Sequence, residues 1–100
     1  MMQITLEHTD DELVVLPKGR IDTSTAEEFG EKLMAAIEEA DCVRIDFEEV
    51  AYISSAGLRV LLNAQKIVNR NGKEMICYNI NEIVESVLVS TGFTNILTIE

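Results

Sequence analysis

Two adjacent hydroxyls, Ser54 and Ser55, stand directly before Ala56-Gly57-Leu58. On one side lies the short apolar run Val50-Ala51-Tyr52-Ile53, and on the other a stretch whose apolar residues recur with helical period. Serines at a strand-to-helix turn meet free backbone N–H groups and the positive end of the helix dipole. An anion at such a point, including a phosphoryl group on a hydroxyl, is stabilised there. The chemistry open to the pair is helix capping, which serine favours in its own right, or a phosphorylation-linked switch. Nucleophilic catalysis fits poorly. A serine nucleophile needs a base, and the single imidazole, His8, lies at the other end of the chain. Ser55-Ala56-Gly57 lacks the leading glycine of a nucleophile elbow, and no HExxH, GxxxxGK[ST] or GxGxxG is present. An enzyme is not expected.

The elements that must position the serines can be read from periodicity. Val60, Leu61, Ala64, Ile67 and Val68 form one apolar stripe, while Arg59, Asn63, Lys66 and Arg70 fall on the opposite face. Asn71-Gly72 closes that helix, and Ser54 or Ser55 is its natural N-cap. Val43 to Phe47 alternates as a half-exposed strand, with Arg44 and Asp46 turned from the core. Gln3 to His8 reads as an edge strand, and Leu13 to about Arg20 as its hairpin partner. Pro17 lies inside that partner and predicts a bulge or an edge. A helix is predicted from about Ser24 to Glu39, with capping-box spacing at Ser24…Glu27 and Thr25…Glu28. Lys73 to Tyr78 is a strand, Asn79-Ile80-Asn81 opens a third helix to about Ser90, and Leu97-Thr98-Ile99 is a closing strand.

Strand and helix in alternation mean parallel strands joined by right-handed crossovers. The expected fold is a single α/β domain over residues 1–100, with a four- to five-stranded mixed sheet and helices mainly on one face. Loops leaving the C-terminal ends of such strands gather along one edge. Asp22-Thr23-Ser24, the Tyr52 to Gly57 turn and Asn79-Ile80-Asn81 are therefore expected to form one polar rim, each at a helix start. Asp22, Glu48 and Glu49 are the acids expected to repel a phosphate on that rim, and Tyr52 is expected to pack beside the turn.

The Ser54-Ser55-Ala56-Gly57-Leu58 run resembles the signature of the bacterial anti-sigma factor antagonist family, the STAS domain. Gly19-Arg20-Ile21-Asp22-Thr23-Ser24-Thr25-Ala26 is similar to the family's second motif, and the order of elements and the length fit as well. The resemblance covers nearly the whole chain. It implies a regulatory module that binds an anti-sigma factor of the serine protein kinase type and is switched by serine phosphorylation. The partner-facing rim that it implies comprises Asp22, Thr23, Ser24, Ser54, Ser55, Ala56, Gly57 and Arg59. The chain departs from the family pattern at two places. Ala56 has no hydroxyl where many members have Ser or Thr, and Ser54 stands where they have Asp. If the family acceptor adjoins the glycine, this chain has none; if it is the residue before, Ser55 is the acceptor, with Ser54 second. The same departures suit an alternative, a non-phosphorylated STAS scaffold in a transporter or signalling assembly.

Composition bounds these readings. Hydrophobic residues make up 47% of the chain, with a single proline, so it is not a disordered segment. No run approaches the ~18–20 apolar residues of a membrane span, and Met1 to Glu7 lacks the basic head and apolar body of a signal peptide. A cytoplasmic location without membrane insertion is expected. Eighteen acidic against eight basic residues give a net charge of −10, which disfavours direct contact with nucleic acid and suits a partner with a basic docking face. Cys42 and Cys77 lack metal-ligand spacing and read as core thiols, so neither metal nor cofactor is expected. Oligomeric state is left open by the sequence.

Overall fold

In the computed structural model, which describes residues 2–100, β1 (Gln3–His8) and β2 (Glu12–Ile21) form an antiparallel hairpin. After α1 (Ala26–Glu39) come β3 (Cys42–Asp46) and β4 (Val50–Ile53), then α2 (Ser55–Arg70), β5 (Glu74–Tyr78), α3 (Glu82–Ser90), a 3-10 turn (Phe93–Asn95) and β6 (Thr98–Ile99). The sheet order is β1-β2-β3-β5-β6, with β4 also paired to β2. All pairs after the hairpin are parallel. Among the described residues no helix is long and apolar enough to cross a membrane.

Among the described residues the sheet has six strands rather than four or five. The stretch that leads into the serine turn, β4, is a strand separate from β3 rather than its continuation. Its neighbour β2 is ten residues long, enough for two partners in line. Glu12–Val15 pairs with β3, and Gly19–Ile21 pairs with β4. A turn in which the Val50 N–H donates to the Phe47 carbonyl at 3.0 Å carries the chain from one to the other. Pro17 falls between these two parallel ladders, opposite Ile4 of β1. The expected irregularity lies two residues on. The β2–β4 register shifts between Gly19 and Arg20, and Gly19 has φ +99°, which glycine adopts without steric cost.

Alternate strand residues Leu13, Val15, Val43, Ile45, Met75 and Cys77 are buried in one cluster with Phe29 and Leu33 of α1, Leu61 and Val68 of α2, and Val84 and Leu88 of α3. Their strand neighbours Val14, Arg44, Asp46 and Tyr78 are only half-buried. Arg44 pairs with Glu100 and lies 4.7 Å from the centre of the Tyr78 ring. One sheet face is thus covered by helices and the other carries a mixed polar surface, as alternation predicts. Cys77 is a core thiol, and burial pushes its pKa up to about 12. Cys42 is not. It is half-buried and donates to Glu12 Oε2 at 3.5 Å, and desolvation, aided by that carboxylate, raises its pKa to about 11. Neither thiol is poised to act as a nucleophile.

The start of α3 is a built cap. The Asn81 side chain accepts the Val84 N–H at 2.8 Å and donates to the Val50 carbonyl at 2.7 Å, tying the helix to the first residue of β4. Asn81→Ala removes both bonds and is expected to lower the unfolding free energy by about 1.5 kcal/mol. Asn81→Asp keeps the cap acceptor but not the donor and is expected to cost less. Urea denaturation of the two variants checks the order.

Candidate functional site at the start of α2

The site is set by the way β2 and β4 end together. Ile21 is the register partner of Ile53, and the Ser54 N–H donates to the Ile21 carbonyl at 2.8 Å. The segments that follow, Asp22–Thr25 and Ser54–Gly57, therefore emerge side by side. Ser54 is the N-cap residue, extended at φ −97° and ψ 178°, and its carbonyl accepts the Leu58 N–H at 2.9 Å. Ser55 is the first residue of the helix and is exposed. Gly57 is buried on the two strand ends. A Cβ there would lie 2.7 Å from carbons of both Ile21 and Ile53 and 3.2 Å from the Ile21 carbonyl oxygen. The absence of a side chain lets α2 start in direct contact with the sheet.

The two serines have different surroundings. The Ser54 side chain makes no cap bond, and its buried Oγ has no partner among the described residues. Ser54 holds the cap position through its backbone alone. Ser54→Ala is accordingly expected to raise stability by about 1 kcal/mol, because it removes a buried hydroxyl that has no hydrogen bond to offset its lost hydration. A bonded serine cap would lose about 1 kcal/mol on the same change. Thermal denaturation separates the two outcomes.

On the neighbouring segment, Asp22 Oδ1 accepts the Ser24 N–H at 3.0 Å and the Ser24 hydroxyl at 2.7 Å, and Arg20 Nε lies 3.4 Å from Oδ2. The Ser24 hydroxyl, then the Ser24 N–H, holds the Asp22 carboxyl below its ordinary pKa. The expected capping boxes do not form. The Thr25 hydroxyl turns back to donate to the Arg20 carbonyl at 2.7 Å and accepts the Asp22 N–H at 2.9 Å, and α1 starts only at Ala26. Local bonds around Asp22 outcompete the cap. Thr23 and Ser24 are exposed.

Of the expected rim, Asp22, Thr23 and Ser24 do adjoin Ser54, Ser55, Ala56 and Gly57, and Arg59 is exposed one helical turn further on. The Asn79–Asn81 segment does not join them. Asn79 donates to Asp46 Oδ1 at 3.0 Å, and Asn81 is bonded to Val50, at the opposite end of β4 from Ser54. The reason is β4, which extends the edge beyond the level at which β3 and β5 stop. Glu48 and Glu49 also belong to that far end, where the Glu49 carbonyl accepts the Gly19 N–H at 2.9 Å and its carboxylate lies 3.9 Å from Lys18. Of the three acids expected near a phosphate, only Asp22 is at the rim.

Periodicity missed Arg20. Its guanidinium lies 4.7 Å from the centre of the Tyr52 ring while reaching Asp22. Arg20 and Tyr52 are register partners, a relation that appears only once β2 and β4 are paired. Tyr52 sits on β4 two residues before Ser54, with the Arg20 guanidinium over its ring. The first turn of α2 carries no acidic residue, whereas those of α1 and α3 carry two each. This surface presents one exposed serine hydroxyl, that of Ser55, at the start of α2.

A sequence profile of the STAS domain matches residues 3–100. The chain belongs to the STAS domain family. This STAS domain is 29% identical over 100 residues to the anti-sigma F factor antagonist of Paenibacillus polymyxa, covering 98% of this chain and 86% of that protein. It is 28% identical over 95 residues to the anti-sigma-B factor antagonist of Listeria monocytogenes, covering 94% and 83%. Among solved structures, an anti-sigma factor antagonist from Mycobacterium paratuberculosis superposes with a TM-score of 0.89 at 19% identity, covering 99% of this chain and 85% of that one. The unphosphorylated form of the anti-sigma factor antagonist SpoIIAA gives 0.80 at 20% identity, covering 98% and 88%. Its phosphorylated form from Bacillus gives 0.74 at 19%, covering 98% and 91%. These structural likenesses establish the same α/β fold for this STAS domain.

Proposed function

We propose that this STAS domain is an anti-sigma factor antagonist: it binds an anti-sigma factor that is also a serine kinase, and phosphorylation of Ser55 releases it. In this reading it acts by binding rather than by catalysis, in the cytoplasm. The observation that carries the proposal is the contrast within the serine pair. Ser55 is exposed on the first turn of α2, while the Ser54 hydroxyl is buried. A kinase that reaches this turn meets Ser55. The relatives named as anti-sigma factor antagonists support the partner class. The docking surface in this reading is the rim of Asp22, Thr23, Ser24 and Ser54 to Gly57, together with Arg59.

Ala56, which has no hydroxyl, and Ser54 in place of the family's Asp favour a second reading, a STAS scaffold that docks constitutively through the same rim. Incubation with the cognate kinase and ATP, followed by mass mapping and a binding titration, separates them. A phosphoryl group on Ser55 that abolishes binding supports the switch. Binding without any incorporation at Ser55 supports the scaffold.

A further inference from the structure

We propose that Arg59 is the built-in counter-charge for a phosphate on Ser55, closing an ion pair along one face of α2. This rests on the reading of Ser55 as the modified residue and adds how this chain carries the new charge. Ser55 and Arg59 are four residues apart in one uninterrupted helix, and both are exposed. Residues at that spacing are neighbours on the helix surface. Helical side chains lean toward the N-terminus, so a long side chain at 59 covers the turn that holds Ser55.

The guanidinium is available for this task. The ion pairs among the described residues are His8–Glu39, Lys18–Glu49, Arg20–Asp22 and Arg44–Glu100, and none uses Arg59. The helix itself, Ser-Ala-Gly-Leu-Arg onward to Arg70, contains no carboxylate that could compete. On the adjoining β2–α1 segment the charged groups are Arg20 and Asp22, already engaged with each other and, for Arg20, with the Tyr52 ring. Helix α1, whose Gly30 lies against Val60, carries Glu27, Glu28 and Glu31, none of which is ion-paired with Arg59. A planar guanidinium matches phosphate oxygens in a two-point contact. Phosphorylation thereby alters two partner contacts at once, because the bare hydroxyl and the free Arg59 both leave the rim.

The test installs phosphoserine at position 55 of the full chain during translation and follows its phosphate by phosphorus NMR against pH. The parent, Arg59→Lys and Arg59→Gln are compared at low salt, with circular dichroism to verify the fold. The expected midpoint is about 0.3 unit lower in the parent than in Arg59→Gln, with Arg59→Lys between them. The difference should shrink sharply in about 1 M salt. Equal midpoints in all three proteins at low salt overturn the pair. Because the phosphate is placed without a kinase, the outcome is independent of kinase mapping. A shift without kinase incorporation retains the pair and sinks the Ser55 switch, and incorporation without a shift sinks only the pair.

Discussion

Phosphorylation of Ser55 is expected to weaken binding of the anti-sigma factor about a thousandfold while leaving the domain folded. The modification adds about −1.5 to −2 charges at neutral pH. In the free protein that charge sits in water at the start of a helix whose first turn carries no acid, where the dipole favours an anion by about 0.3–1 kcal/mol. A partner that closes over the same turn must strip water from a dianion. Pairing with Arg59 offsets only part of that desolvation, which costs several kcal/mol, and a net loss of about 4 kcal/mol is a factor near a thousand in Kd. Ser55→Asp, with a single charge and a shorter reach, is expected to lose less than the phosphoprotein. Ser55→Ala is expected to keep binding and accept no phosphate. Calorimetric titration of the three forms against the anti-sigma factor is the measurement, and equal affinity for bare and phosphorylated protein would sink the switch. Local charge suffices for the effect, so no change of fold is needed.

Gly57→Val is expected to lower stability by about 3 kcal/mol, which for a domain of this size corresponds to a fall in melting temperature of about 15 °C. Even the first carbon of a side chain at this position would come within 2.7 Å of Ile21 and Ile53 carbons. Ordinary contact between carbons is about 3.5–4.0 Å. Both isoleucines are fully buried, and a third contact at 3.2 Å is a backbone oxygen. The strand ends cannot give way, so the helix start must lift off the sheet and take Ser54 and Ser55 with it. Gly57→Ala is expected to cost less, since one methyl group intrudes and alanine recovers helix propensity. Gly30 in α1 supplies the control. A Cβ there meets Val60 carbons at 3.5 and 3.7 Å, an ordinary contact. Gly30→Ala is therefore expected to raise stability by roughly 0.5–1 kcal/mol. Thermal melts of the variants side by side check the ranking, and a Gly57→Val protein as stable as the parent would remove close packing as the reason for that glycine.

Much of the architecture was legible in residue order. The alternation of Val43 to Phe47 and the helical period from Leu58 to Val68 each reflect a face that has to be buried. These local repeats gave the strands, the helices, the half-exposed face of Arg44 and Asp46, and the serine turn. The rim was legible only in part. The hydroxyl of Thr25 reads as a cap in sequence, yet it bonds back to Arg20. Asn81 reads as a rim residue, yet it ties α3 to Val50 at the far end of β4.

By itself the sequence determined which residues must face a core, the order of the layers, and a hydroxyl-bearing turn leading into a helix. Tertiary structure alone decided that β2 serves two strands in line, that Arg20 stacks on Tyr52, and that Ser54 faces inward while Ser55 meets water. The reason is one of range. Hydrophobic period is a property of neighbours along the chain, and it is the same whichever strand lies alongside. Two serines in succession are alike in that respect. They become different only when the Ser54 N–H is fixed on the Ile21 carbonyl and Gly57 lets the helix close onto two isoleucines contributed by different strands.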